Sequence, residues 1–341
     1  MRCDIIMPVW NNEELTRQCL ESIFANTNCD YIIIIIDNAS DGPTRAYLEE
    51  IKKSHPDNVT LIRNKENMGF TKAVNQGFKA SSGDYVCIIN NDIIVFEDWL
   101  CEMMRVAEIS KDIGIVNPAN NFGKKKPWNM SYQQCAGKAT AGQRGRFVET
   151  ASPVGFCYLI KREVINKIGL FDERFNPGYY EDADYAVRAR EAGFKAVFAK
   201  GAYVFHFEHK SFGKNDSSAL FKRSEELFYT LHSRPQRILF ILSDVSNKYY
   251  STVRQAAGDY ARDSNWCFVY LKKSAEKIEL PRHTYIRSFY FADLFFNIKI
   301  ISLILLKKKK FTKIFVDDTK LAARLERLKK YHNAEVAVIR V

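Results

Sequence analysis

Three carboxylates, Glu181, Asp182 and Asp184, crowd the stretch "YYEDADYAVRAR" at residues 179–190. Acids at a helix start favour the positive end of its dipole, and Arg188 and Arg190 would complete a solvated face. The same cluster could supply a general base, because a carboxylate beside a reacting hydroxyl can take its proton. Tyr179 and Tyr180 could form an aromatic binding platform or simply pack in a core. Elsewhere, Asp37 and Asn38 in "IIDNASDGP" can accept and donate hydrogen bonds, and Asp41-Gly42 offers a turn that lets a ligand approach the backbone. Asp37 by itself is equally an ordinary strand-end turn residue. "NMGF" sets Gly69 beside apolar and amide groups, although a plain loop entering a helix reads the same way. "NNDIIV" holds one acid, Asp92, and "VFHFEH" holds His206 and His209. Mg²⁺ prefers oxygen ligands and Mn²⁺ tolerates a histidine as well, whereas a lone strand histidine is more often structural.

These residues need elements that bring them to one place. "DIIMPV" reads as a strand, Glu13 to Asn26 as an amphipathic helix, and "YIIIIID" as a fully buried strand ending at Asp37. A helix over roughly Pro43 to Ser54, a strand "VTLIRN", a helix from about Thr71 to Ser81 and the strand "DYVCIIN" follow. This alternation predicts a parallel sheet covered on both faces, with its site at the carboxyl ends of the strands. Residues 117–145 mix glycine, lysine and amides with little periodicity and read as a long functional loop, a lid or an acceptor-binding segment. "VGFCYLIKREVINKIG" reads as a strand running into a helix. The acid cluster starts another helix that ends near Gly193, and a final strand pair is expected around "AVFAKGAYVFHFEH".

The rhythm restarts near Pro235. About five strands with intervening helices follow, a small Rossmann-like pattern, so the expected domains are 1–234 and 235–341. The apolar stretch 289–306 is interrupted by Asp293, Asn297 and Lys299. A helix buried on a sheet, an interfacial helix backed by Lys307 to Lys310, and a membrane span are the three readings.

The bulk properties bound the class. With 341 residues, 46% hydrophobic and 27% charged, the chain is expected to be globular with two cores. A net charge of +11 favours anionic partners such as nucleotides or phospholipid headgroups. Nucleic acid is not expected, because no aromatic-basic motif series accompanies the charge, and "PVWNNEE" lacks the glycine fingerprint of a dinucleotide site. Eight scattered cysteines without a CxxC pair read as reduced thiols of a cytoplasmic protein, and the strand-like start shows no signal peptide.

Taken in order, "MPVWNN", "IIDNASDGP", "NKENMGFTKAVNQGF", "INNDIIV", "GFCYLIKREVINKIGLFDERF", "YYEDADYAVRAREAGF" and "FHFEHKSFG" resemble the inverting nucleotide-sugar glycosyltransferases of the GT-A fold, family 2. Within them the series is most similar to rhamnosyltransferase-like members of bacterial surface-polysaccharide synthesis, including O-antigen. The resemblance spans about residues 3 to 213 and implies an α/β fold, a GT-A nucleotide-sugar-binding mixed sheet flanked by helices. It implies that Pro8, Asp37, Asn38, Asp41, Asn67, Gly69, Asn75, Asn90, Asn91 and Asp92 hold the donor. It also implies that Asp92 and His206 bind Mn²⁺ or Mg²⁺, with Asn90 standing where the family carries the first acid of its DxD motif. Asp182 matches the family's catalytic base, with Glu181 and Asp184 orienting the base or the acceptor. The implied partners are a nucleotide diphosphate sugar and a glycan or lipid-linked acceptor, at the cytoplasmic face of the inner membrane. Residues 235–341 resemble the N-terminal half of a GT-B glycosyltransferase. That half would serve acceptor binding, a homo-oligomeric contact, membrane attachment or a second glycosyltransferase module. The competing expectation is an inactive transferase-like protein that docks through its basic C-terminal domain.

Overall fold

The structure is a computed structural model and describes residues 1–207 and 214–340, with the side chains of residues 214–217 outside the description. His209 therefore lies outside the described residues. Two compact units are present: unit 1 holds residues 1–148 and 152–232, and unit 2 holds residues 149–151 and 233–341.

Unit 1 opens with β1 (Cys3–Val9), α1 (Glu13–Asn26), β2 (Tyr31–Asp37), α2 (Gly42–Ser54), β3 (Val59–Arg63), α3 (Phe70–Ala80) and β4 (Tyr85–Ile89). It continues through β5 (Ile93–Val95), α4 (Trp99–Ala107), β6 (Ile113–Asn120), α5 (Tyr132–Thr140), β7 (Phe147–Thr150), β8 (Cys157–Lys161) and α6 (Arg162–Ile168). The elements α7 (Glu181–Glu191), β9 (Lys195–His206) and α8 (Lys214–Leu231) complete it. The strand order is β3-β2-β1-β4-β8-β6-β9-β5, with β7 pairing β9. The first four strands are mutually parallel, and β8 turns the sheet mixed by pairing antiparallel with both β4 and β6.

The isoleucine run makes β2 a central strand, because helices on both sheet faces bury its alternate residues. α1 turns Thr16, Cys19, Leu20 and Ile23 inward at helical spacing. Full burial of Leu20 or Ile23 contributes about 1.5–3 kcal/mol each. α2 starts where the Asp41 carboxylate accepts a hydrogen bond from the Thr44 N–H at 3.1 Å, a cap worth about 1 kcal/mol. Register sets Val9 beside Asp37 and Asp37 beside Arg63, so the chain leaves β1, β2 and β3 at one edge, with β4 ending nearby.

Two expectations are corrected here. The 117–145 stretch is not one loop: β6 reaches Asn120, and α5 begins on a reciprocal cap between Ser131 and Gln134. The anticipated strand pair near the end of unit 1 is one twelve-residue strand, β9. Its partners, β6 on one side and β5 on the other, leave it no need of a hairpin.

Unit 2 contains β10 (Arg237–Leu242), α9 (Tyr250–Arg262), β11 (Trp266–Lys272), β12 (Ile286–Phe291), α10 (Phe296–Leu306), β13 (Lys313–Val316), α11 (Thr319–Arg327), α12 (Lys329–His332) and β14 (Glu335–Val338). Its five strands are all parallel in the order β12-β11-β10-β13-β14. The 289–306 stretch divides between β12 and α10, and Phe296, Ile300 and Ile304 are buried on the sheet. Among the described residues, no helix is long and apolar enough to cross a membrane.

Candidate active site

A cavity of about 730 Å³ in unit 1 brings many of the expected residues together. Pro8, Asn38, Asn67, Gly69, Asn90, Asp92, Glu181, Asp182 and His206 all line it. Asp37, Asp41, Asn75, Asn91 and Asp184 do not.

The acid cluster is set by an unusual chain path. Tyr179 and Tyr180 both take left-handed backbone angles, φ 72° and 69°, immediately before α7. Such angles are costly for non-glycine residues and persist only where packing holds them. Here the Tyr180 ring packs on Phe221 and Phe228 of α8, and its hydroxyl is 3.2 Å from Glu225 Oε1. Tyr180 is therefore half-buried against α8, and both tyrosines line the cavity, where Tyr179 also meets Phe221.

Glu181 and Asp182 begin α7 side by side. Burial, and then the Asp182 charge, pushes the Glu181 carboxyl up to about 8 from an ordinary 4.5, so it holds a proton at neutral pH. Its Oε2 is buried without a hydrogen-bond partner. Burial also raises Asp182, against the opposing pull of the Ala183 and Gly155 N–H groups. The Ala183 N–H donates to Asp182 Oδ1 at 2.8 Å. A methyl group on Gly155 would lie 3.0 Å from Asp182 Oδ2. Asp184 points elsewhere: its carboxylate pairs with Arg188 Nε at 2.7 Å and with His232 Nε2 at 2.9 Å. It braces α7 against the end of α8 and does not reach the cavity.

Asp92 Oδ1 and His206 Nε2 stand 3.2 Å apart across the antiparallel β5–β9 edge. The His206 ring stacks on Phe156 at 4.4 Å, and Asn121 brackets its backbone. Asn121 Oδ1 accepts from the His206 N–H at 2.9 Å, and its Nδ2 donates to the His206 carbonyl at 3.0 Å. A carboxylate oxygen and an imidazole nitrogen fit a Mn²⁺-like ion better than Mg²⁺. Among the described residues no lysine or arginine lines the cavity. Among the described residues no group of three or more His, Cys, Asp or Glu side chains could hold a metal ion.

The amides form a fixed frame. Asn38 Nδ2 donates to Asn67 Oδ1 at 2.7 Å, and Asn38 Oδ1 accepts from Asn64 at 3.0 Å and from the Met68 N–H at 2.9 Å. Asp37 is fully buried beneath them, its Oδ1 accepting from the Ser40 N–H and its Oδ2 paired with Arg63 at 2.7 Å. Burial alone would raise its carboxyl, but the Ser40 and Arg63 bonds outweigh this and hold it below the ordinary range. Asn75 is turned inward, holding both the N–H and the carbonyl of Phe171. Asn91 donates to Thr16 Oγ1, and the Asp41 carboxylate caps α2.

Several contributors escape a reading of the sequence. Asn117 pins the cavity wall at Val154, with its Nδ2 2.7 Å from the carbonyl and its Oδ1 3.1 Å from the N–H. Asn117 and Asn121 act over 37 and 85 residues, a range at which periodicity is silent. Gly155 could have been noticed as a glycine opening the strand "GFCYLI". Trp10 adds an aromatic wall from "MPVWNN".

Residues 4–169 match the family model described as Glycosyl transferase family 2. The N-acetylglucosaminyl-diphospho-decaprenol L-rhamnosyltransferase of Mycobacterium tuberculosis is 29% identical over 258 residues, covering 63% of this chain and 79% of that protein. The putative glycosyltransferase EpsH of Bacillus subtilis is 30% identical over 118 residues, 35% of this chain and 34% of that protein. The uncharacterized protein y4gI of Sinorhizobium fredii is 25% identical over 232 residues. The chain spans about a third or less of the length of the latter two relatives. The crystal structure of GalNAc-T7 with UDP, GalNAc and Mn²⁺ shares the fold, with a TM-score of 0.52 at 17% identity over 67% of this chain and 48% of that one. Over residues 4–169 this chain is therefore similar to glycosyl transferase family 2.

Proposed function

We propose that the chain is an inverting, metal-dependent glycosyltransferase that moves a sugar from a nucleotide diphosphate sugar to a glycan or lipid-linked acceptor in cell-surface polysaccharide synthesis. The observation that carries this reading is that Asp182 lines the same cavity as the Asp92–His206 pair and the Asn38–Asn67 frame. Asp182 takes the proton of the acceptor hydroxyl as that oxygen attacks the anomeric carbon. The bond to the donor phosphate breaks, and the nucleoside diphosphate leaves. Burial raises its proton affinity, the direction that favours proton acceptance. Protonated Glu181, with a free buried oxygen, can donate a hydrogen bond to a substrate hydroxyl. Asp92 and His206 would hold Mn²⁺ or Mg²⁺, which when bound offsets the charge of the departing diphosphate. The GalNAc-T7 structure, which contains UDP and Mn²⁺, supports that reading by analogy of fold. The reading places the enzyme at the cytoplasmic face of the membrane, with unit 2 as an accessory or a partial GT-B-like half.

Asp182→Asn tests the assignment. Transfer should fall by about 10²–10⁴, while nucleotide binding stays near that of the wild type, because the base acts on the acceptor. Equal loss of both would remove Asp182 from the role. Absence of transfer by the wild type with every donor tried would favour the inactive, docking reading, which Asn90 in place of an acid supports.

A further inference from the structure

α10 is apolar on two sides. Phe296, Ile300 and Ile304 face the sheet of unit 2, repeating every four residues. On the outward side Phe295 is 67% exposed, Ile298 60% and Leu306 81%, with Leu294 at 75% just before the helix. Lys299 and Ser302 are also exposed on this side, and a cluster of exposed apolar residues interspersed with lysine marks a contact surface. The helix runs directly into Lys307–Lys310. Lys308 and Lys309 are exposed, while Lys307 lies over Phe311 and Lys310 donates to the Leu305 carbonyl. No acidic residue occurs from 294 to 316, so nothing within this segment balances the lysines.

We propose that the outward face of α10, together with Lys308 and Lys309, docks on an anionic lipid bilayer surface. The helix has 11 residues, too few to span a bilayer, but it suits the headgroup boundary. Phe295, Ile298 and Leu306 enter the acyl edge, and the lysines meet the lipid phosphates. Charge complementarity selects this occupant, since an electrically neutral apolar partner would leave the lysines unused. The inference concerns attachment and stands apart from the transfer reaction.

The test is co-sedimentation of the full chain with vesicles of phosphatidylcholine alone and with roughly a third phosphatidylglycerol. Binding is expected only to the anionic vesicles and should weaken with salt. Lys308→Ala should weaken it about fivefold, as should Lys309→Ala. Leu306→Ser with Phe295→Ser should weaken it at least about tenfold while the circular dichroism spectrum is unchanged. No binding to anionic vesicles, equal binding to both vesicle types, or full binding by the apolar variant would overturn the proposal. So would a wild-type dimer in light scattering that Leu306→Ser converts to monomer, because a second copy would then cover the face. Transfer assayed on a soluble acceptor separates this result from the catalytic reading.

Discussion

Gly155→Ala perturbs the proposed base without touching its chemistry. A Cβ at residue 155 would lie 3.0 Å from Asp182 Oδ2 and 3.3 Å from its Cβ and Cγ. Comfortable carbon contacts lie at about 3.5–4.0 Å, so the carboxylate must yield by a few tenths of an ångström. Asp182 is held in place, since the Ala183 N–H donates to Oδ1 at 2.8 Å. A misplacement of about 1 Å can cost about 10² in rate, so a shift of about a third of that size is expected to lower kcat about fivefold. Gly155 does not take a left-handed φ, so alanine introduces no backbone strain and the thermal midpoint should stay within about 2 °C of wild type. Steady-state kinetics with the donor varied at saturating acceptor would read the effect, with donor KM changing less than about twofold. An unchanged kcat, or a loss confined to donor KM, would refute the reasoning that Gly155 makes space for the base.

Two further outcomes follow from the same site. Between about 4.5 and about 8, folded Glu181 holds a proton that the unfolded chain has released, so its contribution to stability is lost as pH rises across that window. Glu181→Gln should therefore gain in thermal midpoint over wild type from pH 5 to pH 8 and match it near pH 4; parallel curves would contradict the assignment. Asn121→Ala removes both bonds that bracket the His206 backbone and should weaken Mn²⁺-dependent nucleotide binding about 10–100-fold. Unchanged metal affinity in a Mn²⁺ titration would show that His206 needs no such support.

The sequence carried the parallel half of unit 1 well, because the isoleucine run of β2 and the amphipathic α1 are governed by local burial patterns. The same holds for unit 2, where each strand is bounded by a helix. Local signals were also passed over. Ser131 and Gln134 form the S-x-x-Q cap that announces α5 inside a stretch read as loop. α4 begins after Asp98 in a left-handed conformation with no side-chain cap, so its start had no local mark. The site divided along a physical line. Residues at strand ends and at the α7 start, such as Asn38, Asp92 and Asp182, fall where the sheet edge brings them together. Asp184 belongs to the same acidic cluster but lies two residues beyond Asp182, and helical rotation carries it to Arg188 and His232. Asn75 and Asn121 form buried side-chain bonds to distant backbone, and no spacing rule marks them in advance.

The most direct measurement is a calorimetric titration of the wild type and Asp92→Ala with UDP, GDP, dTDP and CDP, each with and without Mn²⁺. One nucleotide is expected to bind the wild type only when Mn²⁺ is present, and Asp92→Ala is expected to lose most of that binding. Binding that ignores the metal, or that survives intact in Asp92→Ala, would contradict the proposed metal-dependent binding.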